Sequence, residues 1–86
     1  MSKGVVEFVK LGEEAMAEEE YDSSVDYFRQ GLAIAPKDFT ALFGMAEVLR
    51  FKEEYDKAAA YYREAQCIDP EQFYGHWEMA FSYDMA

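Results

Sequence analysis

Glu19-Glu20-Tyr21-Asp22 recurs as Glu53-Glu54-Tyr55-Asp56, 34 residues later, and the echo continues at that offset through Tyr27/Tyr61, Arg29/Arg63, Ile34/Ile68, Pro36/Pro70, Phe39/Phe73, Met45/Met79 and Ala46/Ala80. Of the 52 pairs at this offset, 13 are identical. A fixed period of this size marks stacked supersecondary units. Each unit must bury its apolar face on a neighbour, and such an array offers a surface for binding more readily than a reaction centre.

Within the period, apolar residues fall at three- and four-residue spacing, which is the pattern of amphipathic helices. A first helix is expected from Val5 to about Glu18, with Val5, Phe8, Val9, Leu11, Ala15 and Met16 on its apolar face. Asp22-Ser23-Ser24 offers side-chain oxygens to cap a second helix, marked by Val25, Phe28, Leu32 and Ala35 and stopped by Pro36. The residue before a proline is biased away from helical geometry, so this helix should end near Ala35. Asp38 and Thr40 offer caps for a third helix carrying Leu42, Phe43, Met45, Ala46, Leu49 and Phe51. Asp56 opens a fourth through Ala58, Ala59, Tyr62, Ala65 and Ile68 to Pro70, and a fifth runs from about Glu71 through Phe73, Trp77, Met79, Ala80 and Tyr83. Short joints make successive helices antiparallel neighbours.

At 86 residues the chain has room for one domain, burying little more than about 60% of its unfolded surface. Its 51% hydrophobic and 17% aromatic content is far from a disordered composition. The 18 acidic and 8 basic residues give a net charge of −10, which opposes approach to nucleic acid and anionic lipid and favours a basic or mixed-charge partner. Cys67 is alone, excluding an intramolecular disulfide, and Met1-Ser2-Lys3-Gly4 lacks the basic and long apolar regions of a signal peptide. A cytoplasmic location is expected. No apolar run approaches the roughly 18 to 20 residues that a membrane span needs.

On the 34-residue period the landmarks resemble the tetratricopeptide repeat. In the first unit Phe8 takes the tryptophan slot, Leu11-Gly12 the Leu-Gly slot, Tyr21 the inter-helix aromatic, Phe28 the second-helix aromatic and Pro36 the stop. Leu42, Met45-Ala46, Leu49, Tyr55, Ala58, Tyr62, Ala65 and Pro70 fill the same slots in the second. Departures are Ser24 and Gly31 where alanine is usual, Ala15 where tyrosine is, and His76-Trp77 where one tryptophan is expected. The resemblance implies an all-α array of five antiparallel helices in a short right-handed superhelix, a single domain over residues 1–86. Its units are 5–38 and 39–72, with a lone terminal helix at 73–86.

Residues with chemistry to offer are few. His76 is the only histidine and Cys67 the only cysteine, and no phosphate loop, metalloprotease motif or nucleophile elbow occurs. No enzymatic activity, metal or cofactor is expected, and Cys67 should pack as a small hydrophobe. Glu13, Glu14, Glu18, Glu19, Glu20 and Asp22 cluster without the alternating spacing of a calcium loop and read as a solvated face. Gly44, inside the third helix, either admits a close backbone or is neutral.

The resemblance further implies that the first helix of each unit lines a concave groove that receives partner peptides. Carried over slot by slot, the groove comprises Val6, Val9, Glu13 and Met16; Thr40, Phe43, Glu47 and Arg50; and Tyr74, Trp77 and Phe81. The echo fails at these places: Val9 becomes Phe43 and then Trp77, and Glu47 becomes Phe81. One subclass of the family grips the C-terminal carboxylate of heat-shock chaperones with lysine, arginine and asparagine. The corresponding slots here hold Val9, Glu13, Gly44, Tyr74 and Glu78, which lack those donors and would repel an acidic tail. The expected function is a non-enzymatic module that binds an apolar segment carrying basic residues. The apolar fifth helix leaves homo-oligomeric self-assembly as an alternative, and a small acidic secretion-type chaperone or a fragment of a longer array as others.

Overall fold

The computed structural model describes residues 4–73, and these are helical almost throughout. Four complete helices follow in order, α1 (Val5–Ala17), α2 (Tyr21–Ile34), α3 (Phe39–Phe51) and α4 (Tyr55–Ile68), and a further helix starts at residue 70. Among the described residues there is no strand. The all-helical repeat architecture expected from the period is therefore present, with α1 paired to α2, α3 paired to α4, and the two pairs joined chiefly where α2 rests on α3. α1 also meets α3, whereas the backbones of α2 and α4 stay more than 8 Å apart.

Phe28 is the centre of the packing. It has no solvent exposure, and it belongs to a core cluster with Val9, Val25, Met45, Val48 and Leu49 drawn from α1, α2 and α3. Glycines permit this position. A Cβ on Gly12 of α1 would stand 2.9 Å from the ring's Cζ, and one on Gly44 of α3 would stand 2.5 Å from Cε1 and Cζ. Carbon atoms meet comfortably at about 3.5–4.0 Å, so a side chain at either glycine would intrude on the ring. Gly44 is thus a packing residue, and the close approach is to an aromatic ring rather than to another backbone. Beside it, the Ser24 hydroxyl, fully buried, donates to the Gly12 carbonyl oxygen at 2.8 Å and ties α2 to α1.

A second cluster, Phe39, Leu42, Ala65 and Phe73, joins α3 and α4 to the start of the next helix. Phe43 stands edge-on to Tyr62 and Phe73 at centroid distances of 5.5 and 6.1 Å, and such aromatic pairs add about 0.5–1.5 kcal/mol beyond the area they bury.

The repeated Glu-Glu-Tyr-Asp builds the joint inside each unit. Glu19 and Glu53 adopt positive φ, 62° and 66°. In each joint the next residue's N–H reaches back five residues, Glu20 to Ala15 oxygen at 2.8 Å and Glu54 to Leu49 oxygen at 2.9 Å. The positive-φ glutamates themselves donate to Met16 and Arg50 oxygens, both at 3.0 Å. This pair of bonds is the Schellman closure, usually built on glycine, and it satisfies the last carbonyls of α1 and α3. Because the backbone closes the joint, α2 and α4 begin at Tyr21 and Tyr55, earlier than caps at Asp22 and Asp56 would place them.

That start corrects three expectations. Asp22-Ser23-Ser24 and Asp56 lie inside the first turns of α2 and α4, and neither helix has a side-chain cap. Thr40 likewise lies inside α3, which Asp38 alone caps by accepting from the Ala41 N–H at 2.9 Å. The α4 stripe is narrower than expected, since Ala58 and Ala65 are buried while Ala59 and Ile68 are exposed. Cys67 is also exposed rather than packed, because it lies on a side of α4 that no other described helix covers. Phe51, at the end of α3, is half exposed and stacks on Tyr21 at 5.7 Å, linking the two Tyr-bearing joints.

Candidate functional site

The face formed by α1 and α3 carries most of the described groove candidates. A cavity of about 260 Å³ opens there, lined by Glu13 and Met16 of α1, by Thr40, Phe43, Gly44 and Glu47 of α3, and by Phe39 and Gln72 at its end. Glu13 and Glu47 hold equivalent positions in the two units, so the fold sets one carboxylate on each helix beside the same hollow. Met16 and Phe43, both half-buried, supply the apolar part of the wall. The lining holds no lysine or arginine among the described residues. Ligand sites for whole small molecules run to about 300–1,000 Å³, so a hollow of this size suits one or two side chains of a longer segment.

Three of the sequence-derived candidates are placed differently. Val9 is only 7% exposed and belongs to the Phe28 cluster, so it supports the wall from behind. Val6 is 76% exposed and is not part of the cavity lining. Arg50 is committed to structure: its Nε donates to the Tyr62 hydroxyl at 3.2 Å and its guanidinium lies 5.2 Å from the Phe51 ring centre. Burial pushes the Tyr62 hydroxyl above its ordinary pKa, while Arg50 pulls in the other direction. Tyr74, Trp77 and Phe81 lie outside the described residues, as does the apolar stretch on which self-association through the terminal helix was expected.

Electrostatics elsewhere serve the joints. Lys52 bonds Asp22 at 2.6 Å and approaches Glu54 at 3.7 Å, and Lys57 meets Glu54 at 3.1 Å. The hydrogen bond from Lys52 holds the Asp22 carboxyl below its ordinary range and raises Lys52 in return. Glu54 is lowered, chiefly by its hydrogen bond from Lys57. Among the described residues no group of histidine, cysteine and carboxylate side chains is disposed to hold a metal, and no helix is long and apolar enough to cross a membrane.

Larger hollows lie on another side of the molecule, one of about 750 Å³ between α2 and α4 over α3, and one of about 780 Å³ between the turn after α2, at Pro36 and Lys37, and α4. Sequence reasoning did not find them. They arise where the backbones of α2 and α4 stand apart over α3, a property of the assembled pair of units and not of either helix.

Comparison with curated proteins finds no match. The family model described as Tetratricopeptide repeat matches residues 8–38 and again 39–72. Repeats of this family generally mediate protein–protein interactions and are typically non-enzymatic.

Proposed function

Because this chain belongs to the tetratricopeptide repeat family, we propose that it is a protein-interaction module whose α1/α3 face binds an apolar peptide or helical segment carrying basic residues. The observation that supports this reading most is the composition of one hollow: two carboxylates in equivalent positions of successive units, an apolar wall of Met16 and Phe43, and no cation in its described lining. Val6, Val9 and Arg50 shape or flank the same face, and Tyr74, Trp77 and Phe81 are proposed to extend it.

Energetics fit a modest affinity. Fully burying an apolar anchor contributes about 1.5–3 kcal/mol, and micromolar binding corresponds to about −8 kcal/mol. Two or three anchors contribute about 3–9 kcal/mol before ordering costs are subtracted, so a micromolar complex also draws on the remaining contacts of the segment. Rim carboxylates add register and selection of basic over acidic segments more than raw affinity. A cytoplasmic setting is part of the same proposal.

The test is a fluorescence-anisotropy titration with a labelled amphipathic peptide bearing leucines and lysines. Reversing both rim charges, Glu13→Lys with Glu47→Lys, should weaken binding about tenfold or more at physiological salt. An unchanged affinity in that double variant would refute the assignment of this face.

A further inference from the structure

The cleft between α2 and α4 has a charge opposite to that of the molecule. Its two hollows share Pro36, Leu42, Ala60 and Glu64 and so form one continuous trough over α3. Five basic residues line the trough: Arg29, Lys37, Lys52, Lys57 and Arg63. The whole chain has only 8. Among the described residues two acids, Glu54 and Glu64, line it as well. Asp22 and Asp26 pair with Lys52 and Arg29 from outside the lining, and even with both counted the balance stays positive. A chain with a net charge of −10 thus gathers most of its cations along one trough.

Two of those cations have no ion-pair partner among the described residues. Lys37 follows Pro36 at the turn into α3, and Arg63 lies on the outer side of α4. Between them the lining is mainly apolar and accessible, with Pro36, Ala60 and Ile68 exposed and Glu64 the acid beside Arg63. Deeper in the trough, half-buried Leu32 and Tyr61 cover the buried side chains of Leu42 and Met45. Free cations beside an apolar floor fit a ligand with the complementary pattern. The two walls are α-helices, equivalent in successive units, with no helix between them among the described residues. A helix laid into the gap satisfies its own backbone hydrogen bonds while its side chains fill the trough, which an extended segment without a sheet edge to pair with does not do.

We propose that the α2/α4 cleft is a second docking surface, for an acidic amphipathic helix of a protein partner. The apolar residues of that helix seat over Leu32, Ala60 and Ile68, and its carboxylates meet Lys37 and Arg63. The molecule then has two faces of opposite preference, one for basic and one for acidic apolar segments, and the second stands whether or not the first is correct.

The probe is a fluorescein-labelled amphipathic peptide of leucine and glutamate, titrated with the full chain near physiological salt. There the Debye length of about 8 Å screens the molecule's overall negative field while leaving contacts inside the trough. The peptide should bind, and Lys37→Glu with Arg63→Glu should weaken it at least about tenfold. Circular dichroism should be unchanged in that variant, since both residues are exposed and have no ion-pair partner among the described residues, and binding of the leucine–lysine peptide should not fall. The proposal is overturned if the double variant binds as well as the wild type, or if a peptide with alanine for leucine binds equally, which makes the contact one of charge alone. It is also overturned if the two peptides compete for one site. Two further results would replace the occupant and overturn it: a dimer of the chain that the same charge reversals dissociate, or tighter occupation of the cleft by a synthetic peptide of residues 74–86.

Discussion

Replacing Gly44 by alanine tests the packing at the centre of the molecule, because two effects of known sign oppose each other there. Alanine favours an α-helix over glycine by about 1 kcal/mol, so on propensity alone the variant gains stability. Against this, the new Cβ would lie 2.5 Å from two atoms of the Phe28 ring and 3.2 Å from a third. That is about 1 Å inside a comfortable carbon–carbon contact. The ring has no exposed surface, and on the α1 side it already lies so close to Gly12 that a Cβ there would stand 2.9 Å away, so it has little room to retreat. Overpacking of a dense core costs about 1–3 kcal/mol, and an overlap this deep belongs toward the upper end. The net expectation is a loss of about 1–2 kcal/mol, or about 5–15 °C in Tm for a domain of this size. Gly31→Ala is the matched control, since its Cβ would come no closer than 3.4 Å to Phe8 and should keep most of the propensity gain. Urea denaturation followed by far-UV circular dichroism measures both. A Gly44→Ala protein as stable as wild type would refute the clamp. So would a double-mutant cycle with Phe28→Leu that shows no coupling between the two positions.

Other variants test the joints. Glu19→Gly should stabilise the fold by about 0.5–1 kcal/mol, since glycine takes the positive-φ position of the Schellman closure without steric cost; thermal unfolding reads this directly, and a lower Tm would contradict the role given to Glu19. Ser24→Ala should cost about 0.5–1 kcal/mol, the loss of a buried hydrogen bond partly offset by helix propensity, with the shift in urea midpoint as the measure. The carboxyls of Asp22 and Glu54 have lowered pKa values in the folded state, so the stability they contribute is present above the ordinary carboxylate range and is lost as pH falls through their depressed values. Lys52, raised, contributes below its ordinary value and loses that contribution only as pH climbs past the raised one. Lys52→Met should therefore flatten the part of the acid limb of a stability-against-pH curve that Asp22 supplies relative to wild type, and parallel limbs would show that the Lys52–Asp22 pair contributes nothing.

The 34-residue period was enough to place the four helices, with ends off by up to a few residues. It did so because Pro36 and the apolar stripes act locally, and because Phe28 and Tyr62 recur at equivalent points of the two units. Capping was misjudged at Asp22-Ser23-Ser24 and Asp56 because a glutamate in the left-handed region carries no obvious signature. The joint closes through its backbone, and the best capping side chains were left for other work: Ser24 to bind Gly12, Asp22 to bind Lys52. Gly44 was ambiguous in the sequence because its neighbour, Phe28, lies on another helix. Glu13, Met16, Phe43 and Glu47 converge on one hollow, as their repeat positions suggested. Val9 shares that register but turns into the core. The α2/α4 cleft was not legible at all, since it depends on two helix backbones standing apart and gathers Arg29, Lys37, Lys52, Lys57 and Arg63 from distant parts of the chain.

The most direct measurement is a residue-resolved NMR titration of the full chain with the unlabelled leucine–lysine peptide. The account predicts that amide shifts move in a saturable, micromolar fashion at Glu13, Met16, Thr40, Phe43, Gly44 and Glu47, with Lys37, Ala60 and Arg63 left in place. Shifts confined to the α2/α4 side, or none at any concentration reached, would contradict the assignment of the α1/α3 face as the binding surface.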